Sequence, residues 1–229
     1  MFSPELLHLL HLCDPAIPVG SFSHSAGLET YVQAGTVNNK ETAQAFIEQQ
    51  LSENFRNNDA AFASLAWTAA KEDDARKIHE LDDICTAVKL AMEMRIASQK
   101  TGTRLMKIFA GMISTKPFSS YWKASSNGTL FGHYCLAFGL IAHGLGLTKN
   151  DMLTGFYYSA ASAFTTNCVK LVPLGQQQGQ ELLVGLFPLI TSLVDQTLTP
   201  NPAYLGRCCP GFDLASMQHE QLYSRLYMS

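Results

Sequence analysis

The chain has 229 residues, 47% of them hydrophobic and 15% charged, with a formal net charge of −3. That length suits one large domain or two small ones and is ample for burying a core. The slightly acidic balance, with no basic run, excludes a phosphate-driven nucleic-acid interface. The charged share falls below the usual quarter, a hint that part of the surface is covered by a partner or a second copy.

Met1 to Ala16 lacks a cationic stretch, and its leucine run is interrupted by His8 and His11 and followed by Asp14-Pro15. It does not read as a signal peptide. The longest apolar stretch, Tyr134 to Leu147, is too short for a comfortable membrane crossing, so a cytoplasmic location is expected. The cysteines at 13, 85, 135, 168, 208 and 209 are scattered, with no CxxC pair and no secretory signal. None reads as part of a disulfide framework, and the first four read as buried thiols, while Cys208-Cys209 sits in a Pro/Gly-rich stretch.

Taken in order, the elements are helical. Ala43, Phe46, Ile47, Leu51 and Phe55 form one stripe of an amphipathic helix. Asp59 to Lys71 is alanine-rich with Phe62, Leu65 and Trp67, and Ile84 to Gln99 carries Val88, Met92 and Ile96 at spacings of four. Thr103 to Ile113 continues in the same style. Thr115 to Gly128, rich in Ser with Pro, Asn and Gly, reads as a long connection between two helical halves. Gly132 to Gly146 and Met152 to Cys168 are apolar on most sides, which predicts central helices. Leu182 to Leu198 reads as a helix kinked at Pro188. Thr199 to Gly211 holds three prolines and two glycines and is expected to be irregular. Asp213 then offers an N-cap for a last helix, Leu214 to Tyr227. The expectation is an all-α fold, a single helical bundle of about ten helices, with a core over 1–198 and a Pro-rich tether and amphipathic tail over 199–229.

Three segments stand out as candidates for function. Asp14 to Glu29 begins with an irregular Pro/Gly loop; Ser21, Ser23 and His24 within it invite a Ser/His hydrolase reading, but the stretch is not GxSxG and no strand precedes it to form an elbow. Thr165 to Gln180 is a polar bend in which Pro173 and Gly175 break a helix, and Lys170 is favoured there by the helix dipole. The tail from Pro210 places Leu214, Met217, Leu222 and Leu226 on one half of a wheel, widened by Tyr223 and Tyr227, a composition suited to interface anchors. GxxxxGK[ST], GxGxxG after a strand and HExxH are all missing. His8 and His11, at i and i+3, sit among leucines and read as a half-buried face. A metal reading would rest on His24, His219 or Cys208-Cys209, imidazole and thiolate donors of the kind nickel prefers.

PVGSFSHSAGLE near the start, NCVKLVPLGQQQGQELL in the middle and DLASMQHEQLYSRLYMS at the end, in that order, together resemble the UreF family of urease accessory proteins; HYCLAFGLIAHGLGL is similar to the family's central helix. The resemblance implies an all-α homodimer without catalytic activity or a cofactor of its own. It implies a scaffold joining the accessory protein UreD (also called UreH) to the nickel GTPase UreG, so that nickel, carried by the complex, reaches apo-urease. It further implies partner-binding residues in three places. These are Pro18, Gly20, Ser21, His24, Leu28 and Glu29; then Lys170, Pro173, Gly175 and Gln176; then Leu214, Met217, His219, Glu220, Tyr223 and Arg225. Asp213 to Arg225 is expected to order against UreD/UreH. Two further ideas accompany it: a nickel-binding metallochaperone, and assistance to GTP hydrolysis in trans by Lys170 or Arg225.

Overall fold

The computed structural model describes residues 4–20, 25, 27–223 and 225–227. Among them there are α-helices and short helical turns but no strand, so the fold is all-α. In chain order the helices are α1 (Pro4–Leu12), α2 (Leu28–Gln33), α3 (Lys40–Gln49, continued by a π-helical turn Gln50–Phe55), α4 (Asp59–Lys71), α5 (Ala75–Val88) and α6 (Met92–Phe109). They continue with α7 (Lys116–Ser126), α8 (Tyr134–Gly144), α9 (Lys149–Leu171), α10 (Gln176–Gly185), α11 (Phe187–Thr197) and α12 (Pro210–His219).

The bundle is built around α8. Every residue from Cys135 to Ala142 is buried, so α8 is enclosed by α4, α5, α6, α7 and α9. Neighbours come this close because the contact positions are small. A Cβ added at Gly139 would lie 2.4 Å from the Ala63 carbonyl oxygen of α4, whose buried face is mostly alanine. One added at Gly102 of α6 would lie 2.2 Å from the Gly132 carbonyl oxygen and 2.6 Å from the Tyr134 nitrogen. Backbone cannot yield there as a flexible side chain would. α9 covers a further side and carries α1, α10 and α11 on its flanks.

Buried polar groups fix the turn that feeds α8. Asp82, fully buried on α5, accepts hydrogen bonds from Tyr121 Oη (2.5 Å), Phe131 N (2.6 Å) and Gly132 N (3.2 Å). Burial first, and the charge of Asp82 second, push the Tyr121 hydroxyl well above the usual phenol value, so it stays a donor.

Four boundaries differ from those read in the sequence. The helix expected over Ile84 to Gln99 is two, broken after Val88, because tertiary partners take over the local groups. Lys89 turns to Asp59 at the start of α4 (2.9 Å), and the Arg95 guanidinium donates to the Lys89 carbonyl (2.7 Å). Thr115 to Gly128 is mostly helix α7 rather than a connection. Pro117 occupies its first turn, Phe118 and Tyr121 are buried, and Gly128 (φ +79°) ends it. Pro188 does not kink one helix but opens α11 after the break at Leu186. The last helix begins at Pro210 and ends at His219; Asp213 lies inside it, its carboxylate accepting from the Cys209 backbone nitrogen at 3.1 Å.

Gly102→Ala should lower unfolding stability by about 1–3 kcal/mol through overpacking against backbone. Gly111→Ala, where an added Cβ meets nothing within 4 Å, should change it by less than about 0.5 kcal/mol. Urea unfolding followed by circular dichroism measures both, and equal effects would refute the close-approach account.

Candidate functional site: a clasped tail and an adjoining cleft

α12 runs back across the molecule and packs on α2 and α6. Its inward face is small, with Ala215 and Ser216 buried against the start of α2. Gly27 (φ +77°) brings the backbone there so close that a Cβ would lie 2.9 Å from Ser216 Oγ, and Thr30 Oγ1 donates to the Ala215 carbonyl at 2.9 Å. Beyond this contact lies a charged cluster. His219, fully buried, has Nε2 3.1 Å from Glu29 Oε2 and Nδ1 2.9 Å from Glu93 Oε2. Both contacts are hydrogen bonds when both ring nitrogens carry a proton. Arg225 Nη1 pairs with the other oxygen of Glu93 at 3.0 Å. The backbone nitrogens of Leu226 and Tyr227 donate to Glu29 at 2.7 and 3.3 Å. Two carboxylates from α2 and α6 thus hold the end of the chain by two side chains and two amides.

The outward face of the same segment is apolar. Leu214 is 59% exposed, Leu226 69% and Tyr223 fully so, with Met217 beside them at 38%. Of the expected interface side chains, Leu214, Met217, Tyr223 and Leu226 are therefore turned away from this chain's own core, Leu222 is half-buried, and His219 and Tyr227 are turned into it. Glu220 is exposed in the turn that ends α12.

A second feature lies on the other side of α9. A cleft of about 300 Å³ is lined by Asp14 to Val19 on one wall and by Ser159, Thr166, Asn167 and Lys170 on the other. It brings two of the three candidate segments together: Pro18 is exposed beside it, and Lys170, Pro173, Gly175 and Gln176 are exposed at the bend that follows α9. Arg104 of α6 braces the first wall by donating to the Val19 carbonyl at 3.1 Å, next to Gly20 (φ +82°). Burial pushes the Cys13 thiol in the cleft up from its ordinary value, which disfavours it as a nucleophile. Leu28 and Glu29 are buried rather than on display, and Ser21 and His24 lie outside the described residues.

Glu93 and Arg104 belong to these sites and were not singled out in the sequence. Glu93 is a first-turn acid of α6, an ordinary position on dipole grounds, and its partner lies 126 residues away. Among the described residues no cluster of three or more His, Cys, Asp or Glu is arranged to hold a metal ion; both ring nitrogens of His219 already face carboxylates, and Cys208 Sγ lies 3.1 Å from Asp213 Oδ2. No helix among them is long and apolar enough to cross a membrane.

The chain is thus an all-α bundle whose most elaborate site holds its own tail, apolar side outward. The UreF family model matches residues 37–187. Over 225 residues the chain is 42% identical to the urease accessory protein UreF of Actinobacillus pleuropneumoniae serotype 5b (strain L20), covering 98% of this chain and 99% of that one. It is 42% identical to the urease accessory protein UreF of Haemophilus influenzae (strain PittGG) over 98% and 96% of the two chains. To that of Lachnoclostridium phytofermentans it is 34% identical over 98% of each. The chain belongs to the UreF family of urease accessory proteins.

His219→Ala should free the tail from the core, since removing one partner of buried charges costs about 3–5 kcal/mol. Hydrogen exchange at the Leu226 and Tyr227 amides should rise to unprotected rates while α8 amides keep their protection. Loss of protection in α8 as well would show that the clasp is part of the global fold rather than a local latch.

Proposed function

We propose that this chain serves the nickel-dependent maturation of urease as a scaffold, bridging UreD/UreH and the GTPase UreG, with nickel as cargo of the assembled complex. The observation that carries this reading is the outward apolar face of a tail that polar contacts hold against the core. Aromatic and aliphatic side chains grouped on a pre-positioned segment are what a partner buries at the centre of an interface. The polar clasp fixes the segment without using those side chains, which reduces the ordering cost on binding. In this reading Leu214, Met217 and Tyr223 meet UreD/UreH. The cleft and the Lys170 to Gln176 bend take the second partner. A homodimer belongs to the same proposal, supported by the outer face of α1, where Leu6, Leu7 and Leu10 are each more than half exposed.

Co-elution of purified UreD/UreH with the full chain should be stoichiometric. Leu214→Glu combined with Met217→Glu should weaken it at least about tenfold, the equivalent of 1.4 kcal/mol, with helical content unchanged. Undiminished binding by that variant would end the tail's role.

Any effect on GTP hydrolysis we assign to Lys170 rather than Arg225, because the Arg225 guanidinium is committed to Glu93 while Lys170 is exposed at the rim of the cleft. In single-turnover assays of UreG with saturating scaffold, Lys170→Ala should alter the hydrolysis rate. Equal rates with wild-type and variant would mean that this cation only holds surfaces together.

A further inference from the structure

The buried thiols Cys85 and Cys135 have no part in the scaffold reading. Cys85 lies in the last turn of α5 and Cys135 in the first turn of α8, and both are fully buried. Their sulfurs are 3.7 Å apart, close enough to share a hydrogen bond. The pair is held from both sides. His133, immediately before α8, has its ring nitrogens 2.8 Å from Thr86 Oγ1 of α5 and 3.1 Å from Ser98 Oγ of α6, and the backbone around it is pressed against Gly102. Lys89, one turn on from Cys85, carries its charge from the Asp59 ion pair back toward the pair, and its side chain is 13% exposed.

To form a disulfide the two sulfurs close from 3.7 Å to a bond of about 2.05 Å. They differ in character. Burial raises the Cys85 thiol, but the hydrogen bond from Cys135, the neighbouring His133 and the charge of Lys89 outweigh it and bring it below the ordinary thiol value. Burial, then the bond and charge of Cys85, push Cys135 well above it. Cys85 is therefore the more acidic thiol of the pair and Cys135 the less acidic one.

We propose that Cys85 and Cys135 are a peroxide-oxidisable pair that forms a disulfide stapling α5 to the first turn of α8. Cys85 gives up its proton and its thiolate attacks one oxygen of hydrogen peroxide; a sulfur–oxygen bond forms, the oxygen–oxygen bond breaks, and the hydroxide that leaves takes up that proton to become water. The Cys135 sulfur then displaces hydroxide from the Cys85 sulfenic acid, giving up its own proton to form a second water. Two electrons pass from the two sulfurs to one peroxide, and nothing else is consumed. Both sulfurs are out of contact with solvent, which excludes a bulky disulfide.

The full-length protein, treated with hydrogen peroxide at neutral pH, alkylated under denaturing conditions and mapped without reduction, should yield one peptide pair linked through Cys85 and Cys135. The helical circular dichroism should be retained. In Cys135→Ser, dimedone should trap the sulfenic acid on Cys85. Oxidised glutathione should form a mixed disulfide on the exposed Cys208 and leave the buried pair untouched. The proposal is overturned if Cys85 and Cys135 alkylate fully at peroxide doses that oxidise Cys208. It is equally overturned if Cys85 advances to sulfinic acid unlinked, or if the link forms only in urea.

Discussion

Because every residue from Cys135 to Ala142 is buried, α8 has to be wrapped completely, and the helices around it must supply small residues wherever their axes draw close. The alanine face of α4 and Gly102 of α6 meet that demand. Interiors pack at crystal-like density, so once the two nearest helices are seated on α8 the others have little freedom left. α5 and α7 close over the turn before α8 with Asp82 satisfying its amides. α9 closes the far side and carries the peripheral helices. The functional features are all consequences of this wrapping: the cleft lies where the chain before α2 crosses α9, and the clasp lies where α2 and α6 leave two carboxylates facing the returning tail.

The division of labour within the tail follows from side-chain chemistry. A helix docked by its leucines would have used them up. Here the inward positions are Ala215, Ser216 and His219, which permit close approach and a charged anchor, and the leucines, methionine and tyrosine remain for another surface. The cluster is also balanced in kind, carboxylates from the core against an imidazole and a guanidinium from the tail. A buried carboxylate without such partners would be costly.

How much of this was legible beforehand depended on whether a signal was local. Helical periodicity gave α3 and α4, and the all-round apolarity of Gly132 to Gly146 correctly marked the central helix. Residues 115–128 misled because serines and a proline were weighed as loop-formers, although Pro117 at a first turn and Phe118, Tyr121 and Trp122 at helical spacing were in plain view. The break after Val88 had no comparable sign, since it is held by Lys89 reaching Asp59, thirty residues back, and by Arg95 reaching the Lys89 carbonyl across the break. His219 was singled out for its place in a family-like motif, but its burial between Glu29 and Glu93 joins three parts of the chain that no spacing relates. The outward set of Leu214, Met217 and Tyr223 was readable as an anchor set; that they remain exposed was a matter of which face α12 lays down.

The clasp also has a bearing on biosynthesis. Glu29 and Glu93 leave the ribosome well before His219 and Arg225, the side chains that face them. Until residues 219–225 have been added, the nascent bundle carries two neighbouring acids without their partners from the tail. A product that stops short of His219 keeps them so and leaves bare the surface on which the tail otherwise lies.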